Sequence, residues 1–184
     1  MEDIKIEVPI CDQYDKAHDE SWAFRMCAPC SLWMLLKQHN PNFELSPEQL
    51  RDKLIAKDGY LENIGFKHQT IADMGYEYGL PLKYAKKFFY TPEEKEIGMK
   101  IINTNLKNGH PVIISMFSHF TPARGGHMVV VYGIQEFNGQ TIGYYIQNSD
   151  ATFRGYNYFV TMAEFLPNWR GGLIYQDELL LKED

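Results

Sequence analysis

The chain has 184 residues, of which 45% are hydrophobic and 23% are charged, and this composition predicts one globular domain over residues 1–184. The formal net charge of −6, without a stripe of basic residues, argues against binding to nucleic acid. The charged amino terminus lacks the apolar core of a signal peptide, and no apolar run approaches the roughly 18 residues of a membrane span, so we expect a soluble, cytoplasmic protein.

The first half of the chain is predicted to be mainly helical. Its expected elements are an extended segment at residues 4–10, an irregular stretch at 11–26, helices at 28–39, 46–56, 69–79 and 91–107, and a short strand at 82–85. Pro29 fits the first turn of the first helix, where its missing N–H has no helical partner to lose. Ser46 and Gln49 form a capping box that marks the start of the second helix.

The second half is predicted to form an antiparallel sheet. Its expected strands are at residues 111–116, 128–134, 141–147, 156–161 and 172–176, with a short helix at 162–167. The dipeptide Asn138-Gly139 is a strong signal for a two-residue hairpin turn between the second and third of these strands. Because helices come first and the sheet follows, we predict an α+β fold with amino-terminal helices packed on a carboxy-terminal antiparallel sheet.

The predicted hairpin brings three polar residues to one face. If Asn138-Gly139 is the loop and the strands are regular, His127 falls directly opposite Asp150 and diagonal to Asn148. Either Asn148 or Asp150 is then a candidate to hydrogen-bond the imidazole and to fix its tautomer. A single one-residue bulge in the hairpin would reverse this arrangement.

Cys27 stands at the start of the first predicted helix, where a thiol can act as a nucleophile. The helix amino terminus stabilises a thiolate by only about 0.3–1 kcal/mol, less than the ~1.4 kcal/mol that one pKa unit requires. The chemistry therefore needs a second partner, and an imidazolium at His127 would supply it. The side-chain amide of Gln13, together with the backbone N–H of Cys27, would then form an oxyanion hole.

The three cysteines, Cys11, Cys27 and Cys30, are an odd set, which disfavours a disulfide framework. The Cys27-x-x-Cys30 spacing raises the alternatives of a zinc site or of thioredoxin-like redox chemistry. A structural zinc site needs four ligands, and no second close cysteine pair exists; a thioredoxin-like motif follows a strand in a βαβ unit, which the preceding segment does not resemble. We expect neither a metal nor a cofactor.

Together these motifs resemble papain-like cysteine peptidases, in particular the branch of bacteriocin-processing (double-glycine leader) peptidases. The matching segments lie between residues 8 and 175: Val8-Pro9 with Gln13, Cys27-Ala28-Pro29-Cys30-Ser31-Leu32, Gly109-His110-Pro111-Val112, Gly126-His127 with the valines that follow, and Asn148-Ser149-Asp150. The resemblance implies that Cys27 is the nucleophile, His127 the general base, Asn148 or Asp150 the orienting residue and Gln13 the oxyanion donor. It also implies a peptide or protein substrate.

The sequence departs from that pattern at three places. Ala28 replaces the usual glycine after the nucleophile, and Cys30 stands where a small residue is common. Asp150 is followed by Ala151 rather than by proline, and Asn148-Ser149 instead resembles papain itself. The third member of the triad is therefore open between Asn148 and Asp150, with Asn148 favoured.

Three functions are compatible with these residues. The first is hydrolysis of a peptide or amide bond through a thioester acyl-enzyme. The second keeps the same thioester but passes the acyl group to an amine, or deamidates a side chain. The third is an inactive papain-like domain that only binds peptides. The residues specify neither the substrate sequence nor the oligomeric state. We expect His119 to lie near the mouth of the site.

Overall fold

In a computed structural model, residues 1–15, 19–85 and 89–177 are described. The helices are α1 (Cys27–His39), α2 (Pro47–Ala56), α3 (His68–Glu77), α4 (Pro92–Lys107) and α5 (Met162–Asn168). Each of these helices had been expected from the sequence. Complete capping boxes begin three of them, with Ser46, Thr91 and Thr161 as the N-cap residues.

The strands are β1 (Glu2–Lys5), β2 (Tyr60–Leu61), β3 (Gly65–Phe66), β4 (Leu82–Tyr84), β5 (Val112–Phe117), β6 (Gly126–Phe137), β7 (Gln140–Gln147), β8 (Asn157–Thr161) and β9 (Trp169–Gln176). The main sheet has the order β4-β9-β5-β6-β7-β8, and β1 also pairs with β6; all pairings are antiparallel. The small β2–β3 hairpin was not predicted.

The extended segment predicted at residues 4–10 is a strand only at its start, because β1 lies at Glu2–Lys5. After one further ladder bond from Ile6 N–H to the Tyr132 carbonyl (2.8 Å), the chain leaves the sheet edge. Pro9 has no N–H with which to continue a ladder, so the following residues form an extended arm instead. The Pro9 carbonyl in this arm accepts a hydrogen bond from Gln147 at the end of β7, and the arm carries Gln13 to Ser149, just beyond that strand.

The β6–β7 hairpin has the predicted turn, with positive φ at both Asn138 (51°) and Gly139 (76°) as a type I′ turn requires. Two bulges interrupt the ladder. At the first bulge, Ile142 of β7 has no residue opposite it in β6. At the second, Tyr132 of β6 has no residue opposite it in β7. Because the bulges lie on opposite strands, their register shifts cancel, and Val130 pairs with Gln147 as a regular hairpin predicts.

The sheet is buried on both faces in its central strands. Ile113 and Val130 face α1, α2 and α3, whereas their neighbours Ile114 and Val129 face α4 and α5. The prediction that amino-terminal helices pack on the sheet is therefore correct for α1–α3, and α4 and α5 add a layer on the opposite face. Burial on both faces explains why β5 and β6 are almost continuously apolar.

Candidate active site

Cys27 is the first residue of α1 and lies where that helix meets the sheet. The residues that follow it in the first turn are buried, which fixes the helix start, while Cys27 itself is partly exposed. A hydrogen bond from Cys30 N–H to the Met26 carbonyl (2.9 Å) closes the turn. The unpaired N–H groups at the start of a helix carry partial positive charge, which stabilises a thiolate there.

His127 is brought to Cys27 by the packing of α1 against β6. The hydroxyl of Ser31, one turn after Cys27, donates to the carbonyl of Met128 (3.3 Å) and thereby joins the helix to the strand. His127 pairs with Met116 in the neighbouring strand, and Gly125 and Gly126 precede it. The imidazole is half-buried and hydrogen-bonded to the Cys27 thiol.

The two side chains change each other's ionisation. Burial opposes a charge on Cys27, but the hydrogen bond and positive charge of His127, with backbone hydrogen bonds from Met128 and Ala28, outweigh it and lower the thiol pKa. Burial likewise opposes a charge on His127, yet contact with Cys27, aided by Asn148 and Asp150, raises the pKa of the imidazole. Both shifts favour a thiolate–imidazolium pair near neutral pH.

Asn148 lies behind the imidazole and holds it. Its Oδ1 is 2.7 Å from His127 Nε2, which leaves Nδ1 as the ring nitrogen for the thiol. Asn148 Nδ2 donates to the Asp150 carbonyl (2.8 Å), while Oδ1 also accepts from the Asp150 N–H (3.0 Å). This local turn determines which end of the amide faces His127, and the residue is 2% exposed.

Gln13 reaches the same region from the amino-terminal arm. Its N–H donates to the Ser149 carbonyl (3.0 Å), and its Oε1 accepts from the Ser149 hydroxyl (2.8 Å). Gln13 is only 2% exposed, so both ends of this connection are enclosed. Because Oε1 is held by Ser149, the Nε2 end of the amide is the end that can donate into the site.

Asp150 does not hold the imidazole, contrary to the alternative in which it faces His127 across the hairpin. The β6–β7 ladder ends at Val130 and Gln147, and the chain turns before Asp150. Its carboxylate accepts from Thr152 N–H (3.0 Å) and lies 3.1 Å from His119 Nε2. Burial opposes its ionisation, but the contacts with Thr152 and His119 outweigh burial and lower its pKa.

Two further side chains, Tyr14 and Arg124, lie at the rim of the site and were not among the predicted site residues. Tyr14 is 43% exposed, and its hydroxyl contacts the Gln13 amide. Burial and the charge of Asp150 raise the pKa of this phenol, and the charge of Cys27 adds to the rise. Arg124 contacts Nδ1 of His119, whose ring stacks on Phe153 at 5.0 Å. The position of Tyr14 beside Gln13 in the sequence was a signal from which Tyr14 could have been predicted at the site. No feature of the sequence pointed to Arg124.

In residues 1–15, 19–85 and 89–177, no three histidine, cysteine or acidic side chains converge to hold a metal ion. In the same part of the chain, no helix is long and apolar enough to cross a membrane.

Solved structures share this arrangement of helices and sheet. A double glycine motif protease from an AMS/PCAT transporter, solved with the leader peptide, is 21% identical, with 94% of each chain covered and a TM-score of 0.56. A putative C39-like peptidase from Bacillus anthracis is 17% identical over 96% of this chain and 98% of its own, with a TM-score of 0.65. Digestive procathepsin L 3 of Tenebrio molitor is 13% identical over 95% of this chain and 69% of its own, with a TM-score of 0.58.

These likenesses define the class: the chain has the papain-like fold, as the sequence resemblance implied. The particular family follows from the sequence. Residues 5–171 match the Peptidase_C39-like family, and the chain belongs to that family. No curated protein matches the chain in sequence.

Proposed function

We propose that the protein is a cysteine-dependent hydrolase that cleaves a peptide bond through a thioester. The observation that carries this proposal is the chain of contacts from the Cys27 thiol to His127 and from His127 Nε2 to Asn148 Oδ1 at 2.7 Å. A nucleophile, a base and a residue that orients the base are the parts that covalent acyl transfer requires. Membership of a peptidase family supports the same reaction.

In the acylation step, the Cys27 thiolate attacks the carbonyl carbon of the scissile bond and the carbonyl oxygen becomes an oxyanion. The His127 imidazolium then gives its Nδ1 proton to the leaving amine, and the C–N bond breaks to leave a thioester on Cys27. Asn148 keeps the ring in the orientation that this transfer needs. In the second step, neutral His127 takes a proton from water, which attacks the thioester and releases the acid.

Gln13 and the backbone N–H of Cys27 are proposed to stabilise the oxyanion. The Ser149 hydroxyl holds Gln13 Oε1 at 2.8 Å and so presents Nε2 as the donor. A donor fixed before the reaction needs no reorganisation when charge develops, and losing one such donor typically costs about 10²–10³ in rate. We further propose that Tyr14, in contact with the Gln13 amide, contacts the substrate.

The proposed substrate is an extended peptide. A related protease of the same fold was solved with a leader peptide, and that protein is described as acting at a double glycine motif. By extension, we propose that this chain accepts a peptide with small residues at the cleavage point. Cys27, as the nucleophile, is required for any such cleavage.

The test is alkylation by iodoacetamide between about pH 4 and 9, mapped by peptide mass spectrometry, in the wild type and in His127→Ala. Because the His127 charge lowers the pKa of Cys27, we expect fast alkylation of Cys27 well below the usual thiol range in the wild type. In His127→Ala, the alkylation of Cys27 should require a higher pH. Cys11 and Cys30 are internal controls, since both are buried.

The wild type, His127→Ala and a third protein, the Cys27→Ala variant, are then incubated with Gly-Gly-containing peptides. Cleavage by the wild type but not by Cys27→Ala supports the proposal, and full cleavage by Cys27→Ala contradicts it. Adding a primary amine separates the two enzymatic alternatives, because an amide adduct forms only if the thioester is passed to an amine. Ordinary thiol behaviour of Cys27 in both proteins would instead indicate an inactive binding domain.

A further inference from the structure

The three cysteines form one cluster that the proposed hydrolysis does not use. Cys27 and Cys30 lie one turn apart at the start of α1, and Cys11 reaches Cys30 from the amino-terminal arm. The Cys11 and Cys30 side chains are hydrogen-bonded to each other, and Cys30 also feels the charge of Cys27. Cys30 is 0% exposed and Cys11 is 6% exposed, so only Cys27 meets solvent appreciably.

The spacing of Cys27 and Cys30 suits a disulfide. Residues three apart on a helix face each other with Cβ atoms about 5–6 Å apart, and a disulfide needs about 3.5–4.5 Å. The two Cβ atoms must approach by roughly 1.5 Å, and this closure falls in the first helical turn, whose leading N–H groups have no intrahelical partners. Pro29 between the two cysteines has no N–H at all, so tightening this turn breaks no bond there.

The two thiols differ in the way that reversible oxidation requires. Cys27 is partly exposed and pairs with His127, so it is the thiol that an oxidant meets in its reactive form. Cys30 is enclosed, and its hydrogen bond with Cys11, burial and neighbouring charges raise its pKa. Cys30 is therefore the less readily ionised of the two thiols, and its place one turn from Cys27 brings it beside any electrophilic sulfur formed there.

We propose that Cys30 is a resolving cysteine that captures oxidised Cys27 as a reversible disulfide. The oxidant is a hydroperoxide: the Cys27 thiolate attacks one peroxide oxygen, the O–O bond breaks, and the leaving oxygen takes the His127 proton. Cys27 is thereby oxidised by two electrons to a sulfenic acid. The Cys30 sulfur then attacks the Cys27 sulfur, and the sulfenic hydroxyl leaves with the Cys30 proton as water.

The consequence is protection of the nucleophile. A sulfenic acid that meets a second peroxide becomes a sulfinic acid, which ordinary thiols do not reverse. A disulfide prevents this further oxidation and blocks the nucleophile while it lasts. A dithiol reduces it and restores the Cys27 thiol. The inference rests on the proposed function in one respect, namely that Cys27 is ionised by its contact with His127.

The test treats the wild type, Cys30→Ala and Cys11→Ala with hydrogen peroxide and maps the products without reduction. In the wild type we expect a Cys27–Cys30 disulfide that dithiothreitol opens. In Cys30→Ala we expect two oxygens on Cys27, not removed by dithiothreitol. Cys11→Ala is the matched control: it removes a buried thiol of the same cluster and should still give the Cys27–Cys30 disulfide.

Two results would overturn the inference: a sulfinic Cys27 beside a free Cys30 in the wild type, or a Cys11–Cys30 disulfide with Cys27 over-oxidised. Both leave the proposed function intact, because Cys27 still reacts quickly. If Cys27 instead reacts no faster than in His127→Ala, the thiolate itself is absent and the proposed function fails. The wild-type map needs no substitution, so it decides the question even if Cys30→Ala does not fold.

Discussion

At the scale of single residues, Asn148 and Asp150 act on His127 in different ways. Asn148 contacts the ring directly, whereas the side chain of Asp150 acts on the ring only through its charge, since its carboxylate contacts Thr152 and His119. The backbone carbonyl of Asp150 also accepts a hydrogen bond from the side-chain amide of Asn148. A backbone contact survives a change of the side chain, so the charge of Asp150 can be tested separately from its position.

We predict that Asp150→Asn moves the alkaline limit of peptide cleavage to lower pH. The Asp150 charge helps to raise the pKa of His127, so removing it lowers that pKa, and the imidazolium is lost earlier as pH rises. The acid limit, set by the thiol, should stay nearly unchanged. The measurement is a rate–pH profile, with Asp73→Asn on the exposed side of α3 as the control.

If both limits move together, Asp150 acts by holding the local fold rather than by its charge. If neither pH limit moves in Asp150→Asn, and Asp73→Asn likewise leaves the profile unchanged, the charge of Asp150 is screened from the imidazole.

The residues that the sequence indicated at the site are those with a local signature. Cys27 follows from a helix start and His127 from a strand, and the hairpin turn relates His127 to Asn148 through a countable register. The contact between Gln13 and Ser149 joins residues far apart in the chain, so no local pattern specifies it. His119 has a positive φ of 52°, and no adjacent glycine or turn motif in the sequence predicts this backbone conformation. The contact of His119 with Asp150 was therefore not predicted.

At the scale of elements, helix starts were predictable and strand irregularities were not. A capping box is complete within four residues, so Ser46 and Gln49 are sufficient to place the start of α2. The bulges at Tyr132 and Ile142 each precede a glycine, Gly133 or Gly143. A glycine inside a strand marks either a bulge or the close approach of another backbone, so it does not by itself place a register shift. Val130 still pairs with Gln147 as in a regular hairpin, because the two opposite shifts cancel, and the sequence did not indicate that cancellation.

We predict that Ser31→Ala slows the alkylation of Cys27 at neutral pH. The Ser31 hydroxyl joins α1 to the carbonyl of Met128, and the backbone of Met128 in turn contacts the Cys27 thiol. Losing one such hydrogen bond lowers the free energy of unfolding by about 1 kcal/mol. The matched control is Ser46→Ala, which removes an N-cap at a similar cost of about 1 kcal/mol but lies away from the site.

The comparison uses urea unfolding for stability and mapped alkylation for reactivity. Equal losses of stability with slower alkylation only in Ser31→Ala support the role of this junction. Equal alkylation rates in the two variants would show that α1 and β6 hold their relative position without Ser31.

At the scale of the whole molecule, the site depends on two parts of the chain that are far apart in sequence. Cys27 comes from the helical layer and His127 from the sheet, so their contact forms only when the two layers have packed. The sequence indicated the helical layer on one face of the sheet, but not the layer of α4 and α5 on the other. Apolar residues alternate on both faces of β5 and β6, and such a pattern does not say which helix covers which face.

We predict that the pairing of Cys27 with His127 contributes to stability only within a window of pH. A double-mutant cycle with Cys27→Ala and His127→Ala, measured by urea unfolding, gives the coupling free energy between the two side chains. The pKa of Cys27 is lowered in the folded state, so its share is lost as pH falls through that pKa. The pKa of His127 is raised, so its share is lost as pH rises through that pKa.

The coupling should therefore be bell-shaped, with a maximum on the order of 1–3 kcal/mol between the two folded-state pKa values. The unfolded state does not contribute, because the two side chains do not interact there. A parallel cycle with Cys11→Ala in place of Cys27→Ala should show no such pH dependence, since Cys11 contacts Cys30. A coupling that stays constant with pH would mean that a neutral thiol faces a neutral imidazole. The packing of the two layers would then supply geometry without activating the nucleophile.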